Sequence, residues 1–172
     1  RDEPELFVNG QSLGKKSREP YQYLFVWEDV LYEPGKLELV TWRKGQPWAT
    51  ALRETSGAPA QLRAKVDRNR IAGDGLDLAF VSIEVLDEAG RIVPDACPEL
   101  NISVEGVGQF VAADNGDSTD WTPFHSPSRK AFNGLALAIL KGNPGQSGKL
   151  TIQITAEGLT PAGVSIEVAA GR

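Results

Sequence analysis

Glu5-Leu6-Phe7-Val8-Asn9-Gly10-Gln11-Ser12-Leu13-Gly14 reads as an apolar strand, an Asn-Gly pair and the start of a second apolar strand. Both residues of Asn-Gly tolerate the positive φ that a two-residue turn demands, so the stretch predicts a β-hairpin. The same grammar continues outward to the end of the chain. Leu37, Leu39 and Thr41 alternate with Glu38, Val40 and Trp42, and Ala79, Val81, Ile83 and Val85 alternate with Phe80, Ser82 and Glu84. Leu150, Ile152 and Ile154 alternate with Thr151, Gln153 and Thr155, and Val164, Ile166 and Val168 with Ser165 and Glu167. A period of two with one apolar side marks a strand packed on one face. Pro34-Gly35, Lys44-Gly45, Asp74-Gly75, Ala89-Gly90, Asn115-Gly116 and Pro144-Gly145 punctuate the runs as turns. Residues 132–140 are apolar at nearly every position between Asn133-Gly134 and Gly142-Asn143-Pro144, which predicts a strand buried on both faces.

Thr55-Ser56-Gly57-Ala58-Pro59-Ala60 is a small-residue stretch of linker type. Four strands are expected before it, near 5–9, 23–28, 36–42 and 47–54. Seven are expected after it, near 61–66, 77–87, 99–105, 108–112, 132–140, 148–156 and 162–169. Seven strands in roughly 110 residues is the immunoglobulin-like count, here without the disulfide or the central-strand tryptophan of antibody domains. The expected fold is all-β: a partial β-sandwich module over residues 1–60, truncated at its N-terminus, and an immunoglobulin-like β-sandwich domain over 61–172. About sixty residues in four strands bury little surface and leave sheet edges open. The first module is therefore expected to pair with strands outside the chain or to lean on the second.

The chain of 172 residues has a formal net charge of -5 and no basic block, so nucleic acid is not an expected partner. No apolar run reaches membrane-spanning length, and no membrane partner is expected. Arg1 opens the chain without a methionine or a secretory leader, which reads as a fragment from the C-terminal part of something longer. Cys97, the only cysteine, excludes an intrachain disulfide and a cysteine zinc cluster, and reads as a small buried hydrophobe.

Retaining glycoside hydrolysis needs two carboxyl groups about 5 Å apart on a rigid scaffold. Of Glu28, Asp29, Glu84, Asp87, Glu88 and Glu99, most fall on solvent faces of strands or in turns, where carboxylates are expected without a function. Strands do not alternate with long helices, as a (β/α)₈ barrel requires. His125, the only histidine, lies in a Pro-containing loop, and no nucleophile elbow surrounds any serine. No catalytic residue and no cofactor are expected. Asp114, Asp117 and Asp120 offer a dense set of oxygens of the kind calcium takes, but their spacing is not that of an EF-hand. The same residue types also build tight turns through side-chain to backbone bonds. Trp121 and Phe124, beside that acidic run, and Trp48 are the candidate sugar-stacking residues, whereas Trp27 and Trp42 are expected in strands as core.

Several stretches together carry a family resemblance. "ELFVNGQSLG", the run Trp27-Glu28-Asp29-Val30-Leu31-Tyr32-Glu33-Pro34-Gly35-Lys36-Leu37 and the junction Thr55-Ser56-Gly57-Ala58-Pro59 resemble, in order, segments that follow the catalytic barrel in family 2 glycoside hydrolases, the β-galactosidase-like enzymes. Gly73 through Leu78, Val81 through Val85, Val107-Gly108, Asn115 through Thr119 and Lys130 through Ala136 resemble the immunoglobulin-like domain that comes next. The resemblance implies a bacterial, periplasmic or secreted parent that hydrolyses β-linked sugars, galactosides first, with two glutamates in a barrel. None of the family's catalytic positions falls in this segment. The implied partners are the catalytic barrel and upstream domains of the same polypeptide, and the implied role is structural support or bordering of the cleft. The alternatives are an independent carbohydrate-binding module and an immunoglobulin-like spacer of a surface adhesin.

Overall fold

Asn9 and Gly10 have φ of 49° and 82°, the pair of positive values that a hairpin turn matching strand twist requires. They join β1 (Asp2–Val8) to β2 (Gln11–Lys15). Lys44 and Gly45, at 52° and 76°, join β3 (Lys36–Arg43) to β4 (Gln46–Glu54) in the same way. The computed structural model describes residues 2–171, and the chain divides between Thr55 and Ser56 into two units. The first unit is one antiparallel sheet in the order β2-β1-β3-β4.

The three family-like stretches of the first unit meet at one lock. The Asn9 side-chain oxygen accepts the Lys36 amide at 2.8 Å, and its nitrogen donates to the Pro34 carbonyl at 3.2 Å. Gly35 donates its amide to the Thr55 hydroxyl at 3.0 Å, and its carbonyl accepts the Thr55 amide at 2.8 Å. Gly35 has φ of 138°, and a Cβ on it would lie 1.9 Å from the Asn9 oxygen. Gly35→Ala is expected to destabilise the first unit by about 2 kcal/mol, because both the backbone conformation and the Asn9 bonds are lost. Denaturant unfolding followed by tryptophan fluorescence checks this.

The strand expected near 23–28 is not formed: the segment pairs with no strand among the described residues. Phe25 and Trp27 are half-buried while Leu24, Val26 and Glu28 are exposed, which is a strand's alternation without a neighbour. Trp27 thus lies outside any strand. Trp42 is in β3 and only half-buried, with the Lys15 ammonium 4.1 Å from its ring centre. Pro4 is the one buried residue in the described part of this unit.

The second unit is a sandwich of two sheets. One has the order β5-β7-β11-β9, built from β5 (Gln61–Val66), β7 (Leu78–Leu86), β9 (Gly108–Asp114) and β11 (Leu135–Gly142). The other has the order β10-β8-β12-β13-β6, built from β6 (Arg70–Gly73), β8 (Glu99–Gly106), β10 (Ser128–Lys130), β12 (Gly148–Thr155) and β13 (Ala162–Ala170). All pairings are antiparallel except β13 with β6. The core between them follows the alternation read in the sequence. Ala79, Val81, Ile83 and Val85 of β7 face Leu150, Ile152 and Ile154 of β12 and Ile166 and Val168 of β13, all buried. Each valine, leucine or isoleucine among them contributes about 1.5–3 kcal/mol by leaving water.

Among the described residues of this unit, nine strands replace the expected seven. The two extra ones, β6 and β10, have four and three residues, too few for a period of two to show. The strand expected from 132 begins at Leu135 instead, because Asn133 and Gly134 (φ 52° and 74°) make the turn. Cys97 is exposed; Ala96 fills the buried position beside it, so the reading of the thiol as a buried hydrophobe is corrected.

Candidate functional site

Trp121 and Phe124 lie on the loop between β9 and β10 and are 93% and 63% exposed. Trp48 is 64% exposed on β4 of the first unit, with the Arg43 guanidinium carbon 4.8 Å from its ring centre. The aromatic candidates therefore divide between the two units, and only Trp121 and Phe124 share a loop.

That loop is braced by a residue the sequence reading missed. Arg129 enters the sandwich from the middle of β10 and is 1% exposed. Its guanidinium donates to the Asp120 carboxylate at 2.9 Å and to the carbonyls of Thr122 and Pro123, each at 3.0 Å. Its Nε is buried without a partner, and its guanidinium carbon lies 5.7 Å from the Phe124 ring centre. A buried arginine is tolerated only when paired and hydrogen-bonded, and the bends of the loop supply those acceptors. The residues on either side of Trp121 are thereby fixed while the indole itself projects into solvent.

The acidic run closes turns. Asp114 accepts the amides of Asn115 and Gly116 at 2.8 and 3.2 Å. Asp117 accepts the Thr119 amide at 2.9 Å and its hydroxyl at 2.7 Å. Asp120 accepts the Thr122 amide at 2.8 Å on one oxygen, and Asn115 and Arg129, each at 2.9 Å, on the other. Hydrogen bonds from Thr122, then from Arg129, hold the Asp120 carboxyl well below the usual carboxylate range. Among the described residues no three acidic, histidine or cysteine side chains are grouped so as to hold a metal ion. Asp114, Asp117 and Asp120 thus each accept backbone amides of the turns, the role these residue types fill in tight turns.

Three of the other carboxylates raised as candidates, Glu84, Asp87 and Glu99, are also engaged. Glu84 takes Arg63 and Lys65 across the strand pair β5–β7. Asp87, buried at the end of β7, accepts the amides of Gly57 and Arg91 at 2.8 Å each, and these two bonds lower its pKa. Glu99 accepts the Ser128 hydroxyl. The signal that could have found Arg129 is an isolated arginine within ten residues of a run of turn-forming carboxylates, where hydrophobic patterning is blind.

This all-β architecture has close relatives. Residues 62–165 match the family described as glycoside hydrolase family 2 C-terminal domain 5, and residues 1–49 match a domain family of unknown function, DUF4982. The chain belongs to the first of these families and is a C-terminal region of the glycoside hydrolase family 2 type.

Among curated proteins, the beta-galactosidase BoGH2A of Bacteroides ovatus is 39% identical over 165 residues, which is 96% of this chain and 19% of that one. A putative beta-glucuronidase of Formosa agariphila is 29% identical over 83% of this chain and 14% of its own. A glycosyl hydrolase family 2 member from Bacteroides cellulosilyticus superposes with a TM-score of 0.88 at 30% identity, over 95% of this chain and 22% of that one. A beta-glycosidase from Bacteroides vulgatus gives 0.85 at 28%, over 96% and 21%. The chain spans about a fifth or less of the length of these proteins.

Proposed function

We propose that these residues form a non-catalytic accessory region of a glycoside hydrolase that acts on β-linked sugars, galactosides first, and that they support its catalytic barrel or border its cleft. The observation that carries the reading is the fate of the carboxylates: Glu84, Asp87, Glu99 and Asp120 each hold a structural hydrogen bond in this fold. A pair of free carboxyls facing one substrate is what retaining hydrolysis demands. Family membership and the names of the relatives, a beta-galactosidase and a beta-glucuronidase, support a glycosidase parent. The partners in this reading are the barrel and upstream domains of the same polypeptide. The test is a hydrolysis assay of the chain by itself on chromogenic β-galactosides and β-glucuronides, with no turnover expected.

A second reading rests on Trp121, whose exposed indole on a braced backbone fits stacking against the C–H face of a pyranose. In that reading the chain binds β-linked oligosaccharides, and Trp121→Ala weakens binding by more than about 1 kcal/mol in titration calorimetry, as expected for an aromatic anchor. Unchanged affinity removes this loop as a site.

A further inference from the structure

Trp121 follows directly on a turn that carries charge. The Asp120 amide donates to the Asp117 carbonyl at 3.1 Å, which closes a tight turn over residues 117–120. Asn115 donates its side-chain amide to Asp120 at 2.9 Å, which draws the bend at Asp114 against the same turn. The three carboxylates differ in what answers their charge. Asp120 is paired with the Arg129 guanidinium at 2.9 Å. Asp114 and Asp117 each engage a single oxygen, Oδ1, with donors of the turn. Among the described residues the second oxygen of each takes no hydrogen bond, and neither carboxylate has a cation partner. Asp114 is exposed and Asp117 half-buried. The cations nearby in the chain do not cancel them: Arg129 is buried against Asp120, and Lys130 is the register partner of Glu99 across β10 and β8.

We propose that this loop selects neutral β-linked saccharides over uronate-bearing ones, with Trp121 as the stacking surface and Asp114 and Asp117 as the residues that set the preference. The inference rests on the reading in which Trp121 stacks on a pyranose. Stacking alone does not choose, because a hexose and its uronic acid present the same C–H face to an indole. The charge beside the ring does choose. Two carboxylates without cations repel the C6 carboxylate of a uronate, and at low ionic strength that repulsion is only partly screened. Their unengaged oxygens also accept hydroxyl hydrogens, which a neutral hexose offers at C6 and a uronate does not. Arg129 holds the residues on both sides of the indole, Asp120 before it and Thr122 and Pro123 after it. The ring and the two carboxylates therefore keep their places before a ligand arrives, which lowers the ordering cost of binding. The chemical class that fits is an uncharged hexopyranose chain.

The experiment is titration calorimetry of the 172-residue chain with hexamers of β-1,4-galactan, β-1,4-glucan and β-1,4-glucuronan, at about pH 8, above the ordinary range of an imidazole such as His125. The glucan and the glucuronan differ only in the group at C6. At about 20 mM salt the glucuronan is expected to bind about fivefold more weakly than the glucan, and at about 200 mM the gap is expected to shrink to about twofold. Asp114→Asn combined with Asp117→Asn keeps an Oδ1 acceptor for each turn and removes both charges, so the gap at low salt is expected to close as well. Trp121→Ala is expected to weaken every hexamer that binds by about fivefold or more. Glucuronan binding that equals or exceeds glucan binding at low salt, and is lost in Trp121→Ala, overturns the inference and leaves the stacking reading standing. A gap that persists in the double aspartate variant also overturns it, and assigns the preference to shape. Binding untouched by Trp121→Ala, or no saturable heat with any hexamer, removes the stacking reading and the inference with it.

Discussion

Arg129→Met is expected to destabilise the second unit by about 3 kcal/mol, the low end of the range for breaking a buried ion pair. The arginine side chain is 1% exposed and that of Asp120 15%, so the carboxylate left behind recruits water and the full penalty is avoided. What is lost is the common anchor of Asp120, Thr122 and Pro123, and with it the fixed backbone on either side of Trp121. Arg129→Lys keeps the charge but not the fork that reaches a carboxylate and two carbonyls together, and is expected to recover less than half of the loss. Trp121 is the one tryptophan of the second unit, so urea unfolding of a variant lacking Trp27, Trp42 and Trp48 reads this unit alone. A change under about 0.5 kcal/mol would mean that the arginine does not hold the loop.

Gly106→Ala is expected to cost a similar amount, about 3–4 kcal/mol, by a different mechanism. Gly106 ends β8 where the chain leaves one sheet for β9 of the other. It has φ of 99°, and a Cβ would sit 2.1 Å from the carbonyl oxygen of Lys149. That oxygen belongs to the backbone of β12, the neighbour of β8, so it cannot swing aside as a side chain would. The Lys149 carbonyl also accepts the Val107 amide at 3.1 Å, which ties the crossing point to β12. Thermal unfolding monitored in the far ultraviolet should show a lower midpoint with the sheet signature kept at low temperature. A midpoint within a degree or two of the parent would contradict the close approach.

What the sequence disclosed was whatever follows from local chemistry. Asn9-Gly10 and Lys44-Gly45 specify their turns because few residues accept positive φ at both positions. The alternation of Ala79, Val81, Ile83 and Val85 fixes which side of β7 is core, since a slip of one residue would bury Phe80, Ser82 and Glu84. Residues 23–28 show the limit: their pattern was legible, but a strand needs a partner and a pattern does not reveal whether one is present. Arg129 was invisible for the opposite reason, because an inward charge breaks the hydrophobic rule and becomes intelligible only once its acceptors are placed around it. The acidic run looked like a cation site by composition, and its geometry shows each carboxylate committed to nearby amides. Trp121 could be named as an aromatic in a loop, whereas its exposure on a braced backbone required the fold.

The central claim is that this region supports catalysis without performing it. The most direct measurement is the rate of hydrolysis of chromogenic β-galactosides by the purified 172-residue chain, set beside the full-length parent under identical conditions. The account predicts turnover by the parent and a rate for the chain indistinguishable from buffer. Saturable hydrolysis by the chain, abolished by substituting one of its own carboxylates, would contradict it.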